Sequence, residues 1–164
     1  MKIIFDTSAF IPENKPERER EAIIALTKRL PDLDITIYVS REILKEYRSK
    51  LKLFPGRFPY LFKNVILKAY RYKTCKSLPF HNHKLKIHRI EPKINLDMKK
   101  IEKRCGKRKY HTEDEKFLKL FIYLGQRGDI YLITLSEDLA CMAREAIRLY
   151  ELKGQLYKIE DLIN

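Results

Sequence analysis

The sequence predicts an α/β protein, a three-layer sandwich whose central, mostly parallel sheet has about 4 to 5 strands, interrupted by a basic helical insertion. Three observations carry that expectation. Short apolar runs without polar alternation, at Ile3-Ile4-Phe5, Ile35–Val39 and Asp129–Thr134, suit parallel strands covered on both faces. Amphipathic stretches at helical spacing separate these runs. The charge is also segregated: Tyr47 to Thr112 holds 20 Lys or Arg against 3 Asp or Glu, a local +17, while the rest of the chain is at −4. The chain reads as one domain over 1–164, with 47–112 as the insertion.

The first strand stops at Asp6, followed by Thr7 and Ser8. Asn14 and Pro16 then signal a helix start, and Glu17 to Leu30 carries Ala22, Ile23, Leu26 and Leu30 on one face before Pro31 ends it. Ile35–Val39 is a β-branched strand. Ser40 is a good N-cap for a helix in which Ile43, Leu44, Tyr47 and Leu51 recur at helical spacing. Pro55-Gly56 breaks the pattern. A new amphipathic helix begins near Phe58-Pro59, with Leu61, Phe62, Val65, Ile66, Ala69 and Tyr70 inward and Lys63, Lys68, Arg71 and Lys73 outward.

From Ser77 to Lys93 the pattern predicts a loop with a short strand around Leu85 and Ile87. A short helix near Leu96–Cys105 follows, then the basic run Lys103-Arg104-Cys105-Gly106-Lys107-Arg108-Lys109. Thr112 and Glu115 make a capping box for a helix lined by Phe117, Leu118, Phe121 and Leu124, which Gly125 ends. After the Asp129–Thr134 strand, Ser136 caps a helix bearing Leu139, Met142, Ala143, Ala146 and Ile147, and Gln155–Ile159 is a last short strand.

The chain has 164 residues, 45% apolar and 11% aromatic, a composition that fits a folded domain and excludes a disordered one. No apolar run reaches the ~18 residues of a membrane span and no signal peptide is recognisable, so no membrane partner is expected and the protein reads as cytoplasmic. Cys75, Cys105 and Cys141 are widely spaced and form no C-x-x-C pair, which predicts free thiols rather than a disulfide framework or a zinc site. His81, His83 and His88 stay unassigned, because their spacing in a Lys-rich loop is irregular for a metal. The net charge of +13 favours a polyanionic partner, nucleic acid first.

Four acids fall where parallel strands finish or helices begin: Asp6, Glu46, Asp114 and Asp138. Carboxylates brought within about 5 Å repel by roughly 3 kcal/mol per pair at an effective dielectric near 20, so such a cluster calls for protons or a hard divalent cation. Mg²⁺ or Mn²⁺ suits it, since both take oxygen ligands and keep waters for substrate phosphates. Each acid also has a plain structural role open to it. Asp6 can cap a turn, Glu46 can pair along its helix, Glu42 competes with Glu46, and Glu113 and Glu115 flank Asp114.

Taken together, Ile3-Ile4-Phe5-Asp6-Thr7-Ser8, Ser40 with Glu46 six residues on, Asp114 at a helix start, and Leu132-Ile133-Thr134-Leu135-Ser136-Glu137-Asp138 resemble a PIN-domain ribonuclease. The resemblance implies a PIN-like sandwich and an acidic quartet, Asp6, Glu46, Asp114 and Asp138, that binds Mg²⁺ or Mn²⁺ and hydrolyses RNA, with Ser8 and Ser136 in support. It departs from the family where Thr134-x-Ser136-x-Asp138 replaces Thr-x-Asp, and the long basic middle has no counterpart. Lys63, Lys68, Arg71, Lys73, Lys103, Arg104, Lys107, Arg108 and Lys109 are solvated, which leaves phosphate binding or a solubilising surface as their role, and the local +17 favours phosphate and makes them the expected RNA contacts.

Two other readings stay open, a non-cleaving RNA-binding or assembly protein of PIN-like fold and a toxin-type PIN ribonuclease acting on tRNA. A protein antitoxin and a second copy of the chain are further partners left open, and tRNA, pre-tRNA, rRNA and mRNA are not distinguished as substrates. A phosphatase that starts with a strand and Asp needs a second Asp where Ser8 stands. No Gly-rich phosphate loop or serine-nucleophile elbow occurs.

Overall fold

The structure is a computed structural model that describes residues 1–56, 58–61, 78–80, 83–106 and 112–164. Strand β1 (Lys2–Phe5) is its innermost element. Ile3, Ile4 and Phe5 are fully buried, as an uninterrupted apolar run requires when both faces of a strand are covered. Helix α1 (Glu17–Arg29) buries Ala22, Ile23 and Leu26, and a 3-10 turn containing Pro31 ends it. Strand β2 (Thr36–Val39) leads into α2 (Arg41–Lys50), whose N-terminus is capped by Ser40 accepting the Ile43 N–H at 3.2 Å.

A single helical turn, α3 (Phe58–Leu61), marks the start of the expected basic helix. The rest of that helix, with Lys63, Lys68, Arg71 and Lys73, lies outside the described residues, as do Cys75, His81, Lys107, Arg108 and Lys109.

The basic middle is not all insertion. Strands β3 (Leu78–Phe80) and β4 (His83–Arg89) form an antiparallel pair, and β4 joins β2 in parallel from Thr36 opposite Lys86 to Val39 opposite Arg89. The short strand expected around Leu85 and Ile87 is β4, longer than its apolar pattern suggests, and β3 replaces part of the expected loop. Strand β4 buries Leu85 and Ile87 while Lys86 between them is exposed, so its apolar signal is thin and the ladder with β2 decides its conformation.

Helix α4 (Met98–Arg104) is capped by Asp97, whose side chain accepts the Lys100 N–H at 3.3 Å. Helix α5 (Thr112–Gly125), strand β5 (Ile130–Ile133), helix α6 (Glu137–Tyr150) and strand β6 (Gly154–Leu156) follow. The final strand stops at Leu156 instead of Ile159. Ile159, Leu162 and Ile163 belong to a short helix, α7 (Ile159–Ile163), that packs on α1, and their i, i+3, i+4 spacing is helical.

The sheet order is β3-β4-β2-β1-β5-β6, with five parallel strands and β3 as an antiparallel edge. The edge strand is the addition to the expected sheet. Helix α5 packs against α6, as does α4, in keeping with a three-layer sandwich. Helix α5 crosses β6 so closely that a Cβ at Gly154 would sit 2.5 Å from Cζ of the buried Phe121, which is why that position has no side chain. No helix among the described residues is long and apolar enough to cross a membrane.

Cys105 and Cys141 form a disulfide, with Cα atoms 6.0 Å apart, joining the C-cap of α4 to α6. This corrects the expectation of free thiols. Their separation of 36 residues in sequence hides a pairing that the packing of α4 on α6 creates.

The sheet has one point at which its winding reverses. From β1 the parallel strands run outward through β2 to β4, and the chain then returns to the other side of β1 to add β5 and β6. The direction of winding reverses between β1 and β5. The crevice beyond the carboxyl ends of those two strands is the binding position in open parallel sheets.

Candidate active site

Asp6 occupies that crevice. Its N–H donates to the Ile133 carbonyl at 2.9 Å, which extends the β1–β5 ladder by one residue and sets the side chain at the switch point with only 5% exposure. Thr7 to Phe10 then turn as a 3-10 helix and bring Ser8 back over the carboxylate. The Ser8 hydroxyl donates to Asp6 Oδ2 at 2.5 Å, and the Thr134 hydroxyl, just past the end of β5, donates to the same oxygen at 2.7 Å.

Each hydroxyl is itself held by a backbone donor. Leu135 N–H donates to Ser8 Oγ at 2.8 Å, and Ser136 N–H donates to Thr134 Oγ1 at 2.9 Å. Two relays thus run from the β5–α6 turn to one carboxylate oxygen, each bond polarising the next. Ser136 therefore serves through its backbone. Its hydroxyl accepts the Leu139 N–H at 3.3 Å as the N-cap of α6, and it reaches Asp6 by way of Thr134.

Burial pushes the Asp6 carboxyl above its ordinary value. The hydroxyl bonds from Ser8 and Thr134 pull it back, the negative charge of Glu46 raises it again, and the Thr7 backbone bond lowers it. Glu46 stands on the face of α2 turned to β1. Its Oε1 accepts the Thr7 hydroxyl, and its Oε2 pairs with the Lys116 ammonium from α5; the two side chains are 19% and 15% exposed. Of the two acids the sequence leaves open on α2, Glu46 is the one that approaches Asp6, while Glu42 is exposed.

Tyr47, the next residue on α2, anchors this arrangement. It is fully buried, its hydroxyl donates to the Phe5 carbonyl at the end of β1, and its ring meets Phe10 edge-on at a centroid distance of 5.7 Å. Burial raises its phenol well above the ordinary value, with the charges of Asp6 and Glu46 adding to the shift, so the group acts as a neutral donor. Tyr47→Phe takes this donor from the buried Phe5 carbonyl. The expected loss is about 1–3 kcal/mol of stability, read from the urea midpoint at constant slope. An unchanged midpoint would show that the hydroxyl does not tie α2 to β1.

No family model matches this chain, nor does a curated protein or a solved structure.

Asp114 and Asp138 are half-buried in the first turns of α5 and α6, where a carboxylate faces the positive end of the helix dipole. Of the four acids, Asp6 and Glu46 are brought together. Among the described residues no group of three or more His, Cys, Asp or Glu is gathered closely enough to hold a metal ion. Two carboxylates still fit a hard cation, because Mg²⁺ is commonly held by one or two carboxylates with waters and substrate phosphates completing its shell. The donor set agrees: oxygen atoms only, with one carboxylate whose proton affinity is raised by burial first and by the other's charge in addition.

A cleft of about 680 Å³ opens beside Glu46 between α2 and α5. Lys45, Lys50, Lys116 and Lys119 line it together with Glu42, Glu113 and Glu115. Of the expected RNA contacts, Lys103 and Arg104 are described. Both are exposed at the end of α4, and Arg104 lies 3.9 Å from Glu145. His88 stacks on Tyr38 at a centroid distance of 5.1 Å, and burial together with the Lys2 charge lowers its pKa.

Thr7, Thr134 and Lys116 are absent from the candidates that the sequence yields. Thr134 reads as the last residue of a strand, and Thr7 only as the first of two hydroxyl residues after Asp6. Lys116 leaves a trace: it lies four residues before the fully buried Leu120, so an ammonium sits on the buried stripe of α5.

Proposed function

We propose that this protein is a PIN-like, metal-dependent endoribonuclease that hydrolyses RNA phosphodiester bonds. The observation that carries the reading is the buried carboxylate of Asp6 at the switch point, close enough to Glu46 to feel its charge. Asp6 and Glu46 would hold Mg²⁺ or Mn²⁺, which when bound activates water and offsets charge on a phosphodiester. Ser8 and Thr134 keep one oxygen of Asp6 fixed and leave the orientation of the carboxylate no freedom. Thr7 and Tyr47 set Glu46 against it by tying α2 to the β1 end.

Asp114 and Asp138 complete the quartet in the PIN resemblance. Helix α6 leaves β5 at the same sheet edge, and α5 brings Lys116 to it, so both acids belong to helices that start beside the crevice. The basic middle, with Lys103 and Arg104 at its described end, supplies phosphate contacts.

A second reading, an RNA-binding or assembly protein that does not cleave, is favoured by the Lys116 ammonium, which already neutralises Glu46. Incubation with total RNA in Mn²⁺ or in EDTA separates the two. The expected result is shortening of RNA in Mn²⁺ alone, with mapped ends that identify the substrate class. Binding without any change of length in either condition would favour the second reading.

A further inference from the structure

Glu46 uses both of its oxygens within the protein. Oε1 accepts the Thr7 hydroxyl from the turn after β1, and Oε2 is taken by Lys116. The Lys116 ammonium is itself seated: it donates to the Glu113 carbonyl at 2.6 Å and lies 5.4 Å from the centre of the Phe117 ring. With 15% exposure it is not a loose surface lysine, and although Glu113 stands three residues back on its own helix, the ammonium pairs with Glu46. Its charge is committed across the gap between α5 and α2. An ammonium there does what a cation does for the Asp6–Glu46 pair, in that it offsets one of two neighbouring negative charges in a half-buried site.

We infer that Lys116 is the built-in counter-ion of the site, and that its ammonium and a divalent cation compete for Oε2 of Glu46. The inference rests on the proposed metal site and adds to it a residue that sets cation affinity. Lys116 also lines the cleft between α2 and α5, so an ammonium displaced from Glu46 remains in the channel through which a phosphate would approach.

The test is Mn²⁺ binding, followed by the EPR signal of the free ion with no RNA present. Lys116→Met and Lys116→Gln remove the competitor and are expected to tighten Mn²⁺ binding about tenfold, as when a competing state holding most of the population is lost. Glu46→Gln is expected to weaken it. If Glu46→Gln weakens binding while both Lys116 variants bind no more tightly than the unaltered protein, the competition is refuted and the metal site stands. If Glu46→Gln binds as the unaltered protein does, or if no Mn²⁺ binds at all, both the site and the competition fall.

Should neither Lys116 variant fold, the unaltered protein decides the question through amine labelling read by peptide mass spectrometry. Saturating Mn²⁺ is expected to raise labelling of Lys116 severalfold relative to Lys28 on α1. Equal labelling with and without Mn²⁺ would overturn the proposal.

Discussion

Asp6→Asn is expected to lower the rate of Mn²⁺-dependent RNA cleavage by at least about a thousandfold, roughly 4 kcal/mol of barrier, while leaving the fold intact. Asn keeps one carbonyl oxygen, so Ser8 and Thr134 can still donate to the side chain, and what disappears is the charge. The same substitution tests the electrostatics of the site in EDTA. Asp6 ionises less readily in the folded protein than its ordinary value of 3.8 implies, with burial as the largest cause. Folded protein therefore holds that proton more tightly than unfolded protein does. The charge costs nothing below the unfolded pKa, costs progressively more as pH rises from there to the raised folded value, and costs a constant amount above it.

The Asn variant carries no such cost. Its melting temperature is expected to match or exceed that of the unaltered protein at pH 7, with the difference shrinking as pH falls toward 4. A variant that cleaves RNA at full rate would end the assignment of Asp6. One that melts several degrees lower at pH 7 would show that the carboxylate is structural.

What the sequence makes legible follows from what each signal measures. Strand β1 is readable because a strand covered on both faces must be apolar throughout, and Ile3-Ile4-Phe5 is. Helices α2 and α6 are readable because Ser40 and Ser136 cap them and their buried residues recur at helical spacing. Strand β4 gives a thinner signal, two apolar residues among lysines and histidines, which shows a short strand around Leu85 and Ile87 but neither its full length nor the antiparallel β3 beside it.

The site divides along the same line. Asp6 is visible as an acid ending an apolar run, and Ser8 lies two residues from it. Thr134 and Lys116 contribute across separations of 128 and 70 residues, and no local pattern registers a hydroxyl that donates to a distant carboxylate or an ammonium that bridges two helices. Ser136 is legible in one of its two tasks only. Its hydroxyl does the local task of capping, and its backbone N–H does the distant one.

The disulfide is the other place where distance in sequence conceals a contact, and removing it is expected to have the largest effect on stability. Cys105 and Cys141 enclose the segment that contains α5, β5 and the Thr134–Ser136 turn, so the bond closes a loop of 36 residues around the carriers of Lys116 and Thr134. A cross-link over that length restricts the unfolded chain by about 4 kcal/mol in the loop-entropy account. In a protein of this size that corresponds to roughly 10 °C or more in melting temperature.

Thiol titration in denaturant without reductant comes first. Of the 3 cysteines, Cys105 and Cys141 are bonded, so only Cys75 should react, and three reactive thiols would refute the bond. Cys105→Ala with Cys141→Ala, or the unaltered protein in excess reductant, should then lose the stated stability, while reductant leaves the double variant unchanged. Because both relays to Asp6 start from the β5–α6 turn inside this loop, the reduced protein should open first at the end of the site that Thr134 holds. Amide exchange at Leu135 and Ser136 would accelerate before exchange at Ile3 and Ile4, which the central strand keeps buried.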